Sequence, residues 1–160
     1  MKIKKQVEFN DIISDILKNE EIISLRYEYH HGISRLDHSL NVARLTFNMC
    51  KLFKIEKIEE VTRAALLHDF YKTGEDSSFR GHPTTAVNNA KRVFNVNDMQ
   101  ADIIYNHMFP ATFRVPKYKE TWIVTTADKL VAINECTRYK LPIQIGTVFL
   151  FLFNFMMIQR

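Results

Sequence analysis

Apolar residues in this chain recur mainly at spacings of three and four, and only four glycines and four prolines interrupt its 160 residues. Such a period lays a hydrophobic stripe along one face of a helix, whereas a strand would need alternation every second residue. The expected fold is therefore all-α, helices joined by short connections, in a chain long enough to bury a core of its own. A content of 46% hydrophobic and 25% charged residues is that of a globular protein and excludes intrinsic disorder.

Phe9, Ile12, Ile13 and Ile16 mark a first helix that should end before the aromatic, charged segment "RYEYHHG". Ser34 followed by Asp37 resembles a capping box, with Asp in place of Glu or Gln, so a second helix opens there and runs to about Phe53. His38 falls in its first turn. Ile58, Val61, Ala65 and His68 share a face of a third helix, expected to close near Gly74. Pro83 suits a first helical turn, which places His82 at the start of a fourth. Asn97 and Gln100 form another capping box opening "DMQADIIYNHMF", with His107 near the end of that helix. Tyr118 to Tyr139 reads as a long final helix bearing Asp128.

Residues 1–140 are taken as one domain and 141–160 as an apolar tail. Asn154 breaks the tail's continuous apolar run, Val148 to Phe153, which leaves it short of the roughly 20 clean residues that span a bilayer. No membrane span is expected. Residues 148–158 could instead be buried, covered by a partner or a second copy, or lie peripherally on a membrane. Cys50 and Cys136 have no CxxC partner and read as two core thiols, and the first residues lack the apolar stretch of a signal peptide, so the expected location is cytoplasmic. A net charge of +4 favours an anionic substrate, but the Lys and Arg residues are scattered, and no nucleic acid is expected as a partner.

Within "AALLHDFYK" an apolar helical face runs straight into two ionisable groups, whose burial costs several kcal/mol, of order, unless compensated. Similar isolated polar residues recur on other apolar helices. In order they are His38, His68, Asp69, His82, His107 and Asp128. Four imidazoles and two carboxylates suit hard or borderline divalent metals, in number enough for two ions, and helices converging in a bundle core are a usual way to build such a site.

The order His38, then His68-Asp69, then His82, His107 and Asp128, with the stretches "HHGISRLDHSLNVARL", "ALLHDFYK", "GHPTTAVNNA" and "TTADKLVAINE", resembles the HD-domain metal-dependent phosphohydrolase superfamily in its six-ligand form. The resemblance covers Tyr29 to about Tyr139 and is nearest to small bacterial HD proteins without a settled substrate. It implies an HD-domain helical bundle with two divalent ions in its core, of Fe, Mn, Zn, Co or Mg. It also implies Asp69 as the carboxylate bridging them, and hydrolysis of a small phosphorylated substrate such as a nucleotide or dinucleotide polyphosphate. A di-iron oxygenase of HD type is the alternative chemistry. A metal-stabilised sensing or scaffold domain is the non-enzymatic alternative.

Three cations or carboxylates outside the ligand set carry weaker expectations. Lys72 stands one turn beyond His68 and would share its face if the helix continues, either as a catalytic contact to phosphate or as a solvated lysine. Arg114, in the loop between Pro110 and Pro116, is a candidate substrate clamp or a solvated loop residue. Glu135 lies seven residues beyond Asp128 and could orient a ligand histidine. His30 and His31 could line the entrance or stand exposed.

Overall fold

The computed structural model describes residues 8–30, 32–76, 78 and 80–138. Seven α-helices are found among them: α1 (Phe9–Ile13), α2 (Glu20–Ser24), α3 (Arg35–Leu52), α4 (Ile58–Leu67), α5 (His82–Val93), α6 (Asp98–Asn106) and α7 (Lys119–Arg138). The only sheet among the described residues is a ladder of two two-residue strands, β1 (Tyr29–His30) and β2 (Ile33–Ser34). The fold is all-α, as the periodicity requires. The tail at 141–160 and His31 lie outside the described residues, and of His30 only the backbone is described, in β1.

The middle of the bundle is α4. Its last seven residues are buried except Arg63, and it packs against α1, α3, α6 and α7. Leu66 and Leu67, 1% and 2% exposed, each contribute roughly 1.5–3 kcal/mol by leaving water. Arg63 ties α4 to the N-terminal layer through a two-pronged contact to Asp15 at 2.6 and 2.7 Å and a hydrogen bond donated to the Ile12 carbonyl. α3 lies beside α4 and α7, turning Val42, Ala43, Phe47 and Cys50 inward.

Local signals set most helix starts. Ser34 Oγ accepts the Asp37 N–H at 3.1 Å and opens α3. Asn97 and Gln100 form the reciprocal capping box that opens α6, and Pro83 occupies the first turn of α5. Two expectations differ. The first helix is broken into α1, a 3-10 turn at Ile16–Lys18, α2 and a second 3-10 turn at Leu25–Tyr27, because Asn19 turns extended and caps α2 with its side chain. The third helix stops at Leu67 instead of near Gly74: Phe70 N–H bonds back to Leu67 O, and Asn89 and Glu75 claim the Phe70 carbonyl and the Lys72 N–H. Tertiary partners thus replace the next helical turn.

Candidate metal centre

The early stop of α4 delivers the site. His68 is its C-cap and Asp69 follows, so both side chains leave the helix end together, into the space between α3, α5, α6 and α7. His38 comes from the first turn of α3, His82 from the first residue of α5, His107 from the C-cap of α6, and Asp128 from mid-α7. His68, His82, His107 and Asp128 are buried, and His38 and Asp69 are partly so. The structure brings all six together.

Each imidazole is anchored through Nδ1. His68 Nδ1 donates to Ala65 O at 2.8 Å, His107 Nδ1 to Ile104 O at 2.7 Å and His82 Nδ1 to Ser78 O at 3.0 Å. His38 Nδ1 donates to Glu135 Oε2 at 2.7 Å, and Asn41 Nδ2 holds the other oxygen of Glu135 at 3.0 Å. These partners assign the tautomer and leave Nε2 of His68, His82 and His107 as bare lone pairs when the rings are neutral. Two of those lone pairs, on His82 and His107, face each other at 3.2 Å. A cation between them would turn that repulsion into attraction.

Asp69 sits at the centre. Its Oδ1 lies 3.5 Å from His107 Nε2 and 3.7 Å from His82 Nε2, and its Oδ2 lies 3.7 Å from His68 Nε2. These separations are too long for hydrogen bonds. They are near the roughly 3.0–3.4 Å at which two donors stand when each is about 2.1 Å from one ion. Two groups of ligand atoms, His38/His68/Asp69 and Asp69/His82/His107, each fall within 4.8 Å and share Asp69. Buried His68 Nε2 and Asp69 Oδ1 have no hydrogen-bond partner among the described residues, a state that costs roughly 1–3 kcal/mol per neutral group and more for a charged one. The donor set therefore fits a divalent metal.

The charges are graded across the site. Burial would raise Asp69, but the surrounding imidazoles of His68, His107, His38 and His82 hold it at about 2. Burial also opposes ionisation of Asp128, yet Lys129 and the hydrogen bond from His38 drive it well below the usual carboxylate range. Lys129 Nζ, 2.6 Å from Asp128 Oδ2, also donates to the His107 carbonyl at 3.3 Å. Burial works against a charged His38, but hydrogen bonds to Asp128 and Glu135 push it up to about 10. His107 goes the opposite way, to about 3, through burial and the proximity of His68. Burial likewise lowers His82, against the pull of Asp69.

Outside the ligand set the placements diverge. Lys72 no longer follows His68 on a helix, and its Nζ lies 3.9 Å from Glu21. Arg114 lies over the Tyr105 ring, 4.3 Å from its centroid. Among the described residues neither Lys72 nor Arg114 hydrogen-bonds or ion-pairs with any of the six. Cys50 is buried, but Cys136 is not a core thiol: it is half-buried and lines a cavity beside His38 and Asp69. Sequence reasoning passed over Lys129, whose adjacency to Asp128 was the available signal, and Arg35, three residues before His38.

The model of the HD domain family matches residues 35–133, a span that contains all six clustered residues and more than half of the chain. No curated protein and no solved structure matches the chain.

Proposed function

Because the chain belongs to the HD domain family, we propose that it is a metal-dependent phosphohydrolase cleaving a small phosphate ester, such as a nucleotide or dinucleotide polyphosphate. The observation that carries this reading is Asp69, a single carboxylate shared by two ligand groups whose imidazoles turn Nε2 inward. Two divalent ions held by such a set supply Lewis acidity that acidifies water and offsets charge on phosphoryl oxygens.

The chain's own residues then have defined tasks. The three backbone carbonyls and Glu135 lock ring orientation and tautomer, so that the lone pairs are preorganised and little reorganisation is needed on binding. Lys129 neutralises one oxygen of Asp128 and leaves the other, Oδ1, directed at His38 and His68. The reaction forms a bond from a water oxygen to phosphorus and breaks the bond from phosphorus to the leaving oxygen, which departs with a proton. Lys72 and Arg114 are proposed as outer cations that draw the anionic substrate toward the site, a role for which contact with the ligands is not required.

The test is phosphate release from a panel of phosphorylated metabolites, with metal content measured on the same sample. Activity that is lost with chelator and restored by Mn²⁺, Fe²⁺ or Co²⁺ supports the reading. A metal-loaded protein that releases no phosphate but consumes oxygen with loss of a substrate would replace it with the oxygenase alternative.

A further inference from the structure

A second cavity runs along α3 and α7. Its volume is about 360 Å³, against about 60 Å³ for the one beside His38 and Asp69, and the two share Ile33 and Glu135 as walls. The larger falls within the roughly 300–1,000 Å³ of pockets that enclose small molecules, whereas the smaller admits a compact group only. Asn41, Arg44, Leu45 and Asn48 line the larger cavity from α3, and their spacing of three and four keeps them on one face. With about 1.5 Å of rise per residue, they lie about 4.5 to 15 Å beyond His38 along the helix. A molecule reacting at the metal centre can therefore reach them while its phosphoryl group stays beside His38 and Asp69.

The polar groups along this cavity are unused. The guanidinium carbon of Arg44 stands 4.4 Å from the Phe9 ring centroid, a contact that holds the group in place and leaves its N–H donors free. Among the described residues it makes no hydrogen bond or ion pair, and neither do the side chains of Asn48 and Asn134. Asn41 gives Nδ2 to Glu135 Oε1 at 3.0 Å and keeps its own carbonyl oxygen available. Leu45 and Val131 supply apolar surface between these polar groups. A ligand that covers that surface displaces water from the amides and must pair them in its place. An alkyl chain cannot, and a bare anion leaves the apolar surface uncovered. A nucleobase does both: its ring face is flat, and its edge sets hydrogen-bonding groups side by side, as carboxamide and guanidinium do. Purines suit this wall best, because Arg matches O6 and N7 of guanine and Asn matches N6 and N7 of adenine.

We propose that the cavity between α3 and α7 holds the purine base of the substrate, with Arg44, Asn48 and Asn134 reading its edge, so that the chain acts on purine nucleotides in preference to simple phosphate esters. The inference rests on the phosphohydrolase reading and names its substrate class. Glu135 borders both cavities: one of its oxygens orients His38 and the other fixes Asn41, which joins the base-binding wall to the metal centre.

The experiment measures binding of guanosine and adenosine, which carry no phosphate, to the metal-loaded protein by ligand-observed NMR. Metal content, melting temperature and kcat/KM for the two nucleoside monophosphates and for p-nitrophenyl phosphate are read on the same samples. Both nucleosides are expected to bind and to inhibit nucleotide hydrolysis competitively. Asn48→Leu and Asn134→Leu, at exposed positions where the fold tolerates them, are each expected to weaken nucleoside binding about two- to tenfold. The preference for nucleotide over aryl phosphate should fall by the same factor, with metal content unchanged. Arg44→Met is expected to weaken guanosine more than adenosine. No nucleoside binding by wild type, or equal binding in wild type and all three variants, would overturn the base site. So would noncompetitive inhibition, or equal kcat/KM for nucleotides and aryl phosphate in wild type. Nucleoside binding that the variants weaken, in a protein that releases no phosphate from any ester, would support the base site and overturn the phosphohydrolase reading.

Discussion

The two halves of the centre hold their charges in opposite ways. On the side of α3 and α7, His38 is clasped between two carboxylates, Asp128 at 3.1 Å and Glu135 at 2.7 Å, and is satisfied as an imidazolium. On the side of α5 and α6, His82 and His107 give their Nδ1 protons to carbonyls and oppose their lone pairs at 3.2 Å. The first half can balance itself with a proton, whereas the second has only lone pairs to offer. The same residue type therefore serves two electrostatic states, decided by whether the Nδ1 partner is an ionised carboxylate or a neutral carbonyl.

Asp69→Ala tests the link between the halves and should have the largest effect. Loss of the shared carboxylate is expected to reduce bound metal in both halves and lower hydrolysis by about a thousandfold or more, read by elemental analysis and phosphate release. Full metal content with full activity would show that the halves do not depend on Asp69.

The pH dependence of stability reads the halves separately in metal-free protein. His38 is raised from 6.5 to about 10, so its contribution is fully present below pH 6.5 and is lost as pH rises through about 10. His107 is lowered from 6.5 to about 3, so its contribution is present above pH 6.5 and is lost as pH falls through about 3. Asp69, held at about 2, and Asp128, also held well below the usual carboxylate range, add to the acid limb below the ordinary aspartate value of 3.8. Denaturant midpoints across pH should therefore decline on both sides of about 6.5, and metal should flatten the alkaline limb because a ligating His38 gives up its Nε2 proton. An alkaline limb unchanged by metal would remove His38 from the ligand set.

Lys129→Met bears mainly on the α7 half, where the shorter of the two Lys129 contacts lies. With Asp128 Oδ2 deprived of its partner, metal affinity is expected to fall about ten- to a hundredfold, the usual scale for residues that support a ligand, measured by competition with a chromophoric chelator. Equal loss from both halves would mean that Lys129 acts through the His107 carbonyl as much as through Asp128.

Lys72→Ala should be the mildest change. Metal content is expected to stay the same while kcat/KM drops about two- to fivefold and becomes less sensitive to salt, as suits an outer charge. A salt dependence identical to wild type would make Lys72 a partner of Glu21 and nothing more.

By itself the sequence determined what depends on near neighbours. Helical periodicity, the Ser34 and Asn97 caps and Pro83 act within one or two turns, so α3, α5 and α6 began where local chemistry placed them. The six ionisable residues stood out because each interrupts an apolar face, a contrast visible without coordinates. Only the tertiary structure decided where α4 ends, since Asn89 and Glu75, remote along the chain from α4, take the place of its next turn. It also decided that Glu135 serves His38 across 97 residues, that Lys129 reaches the His107 carbonyl and that Arg35 lines the cavity. Those roles are relations between helices packed at close range, and a hydrogen bond between distant residues leaves no period or spacing in the chain that makes it.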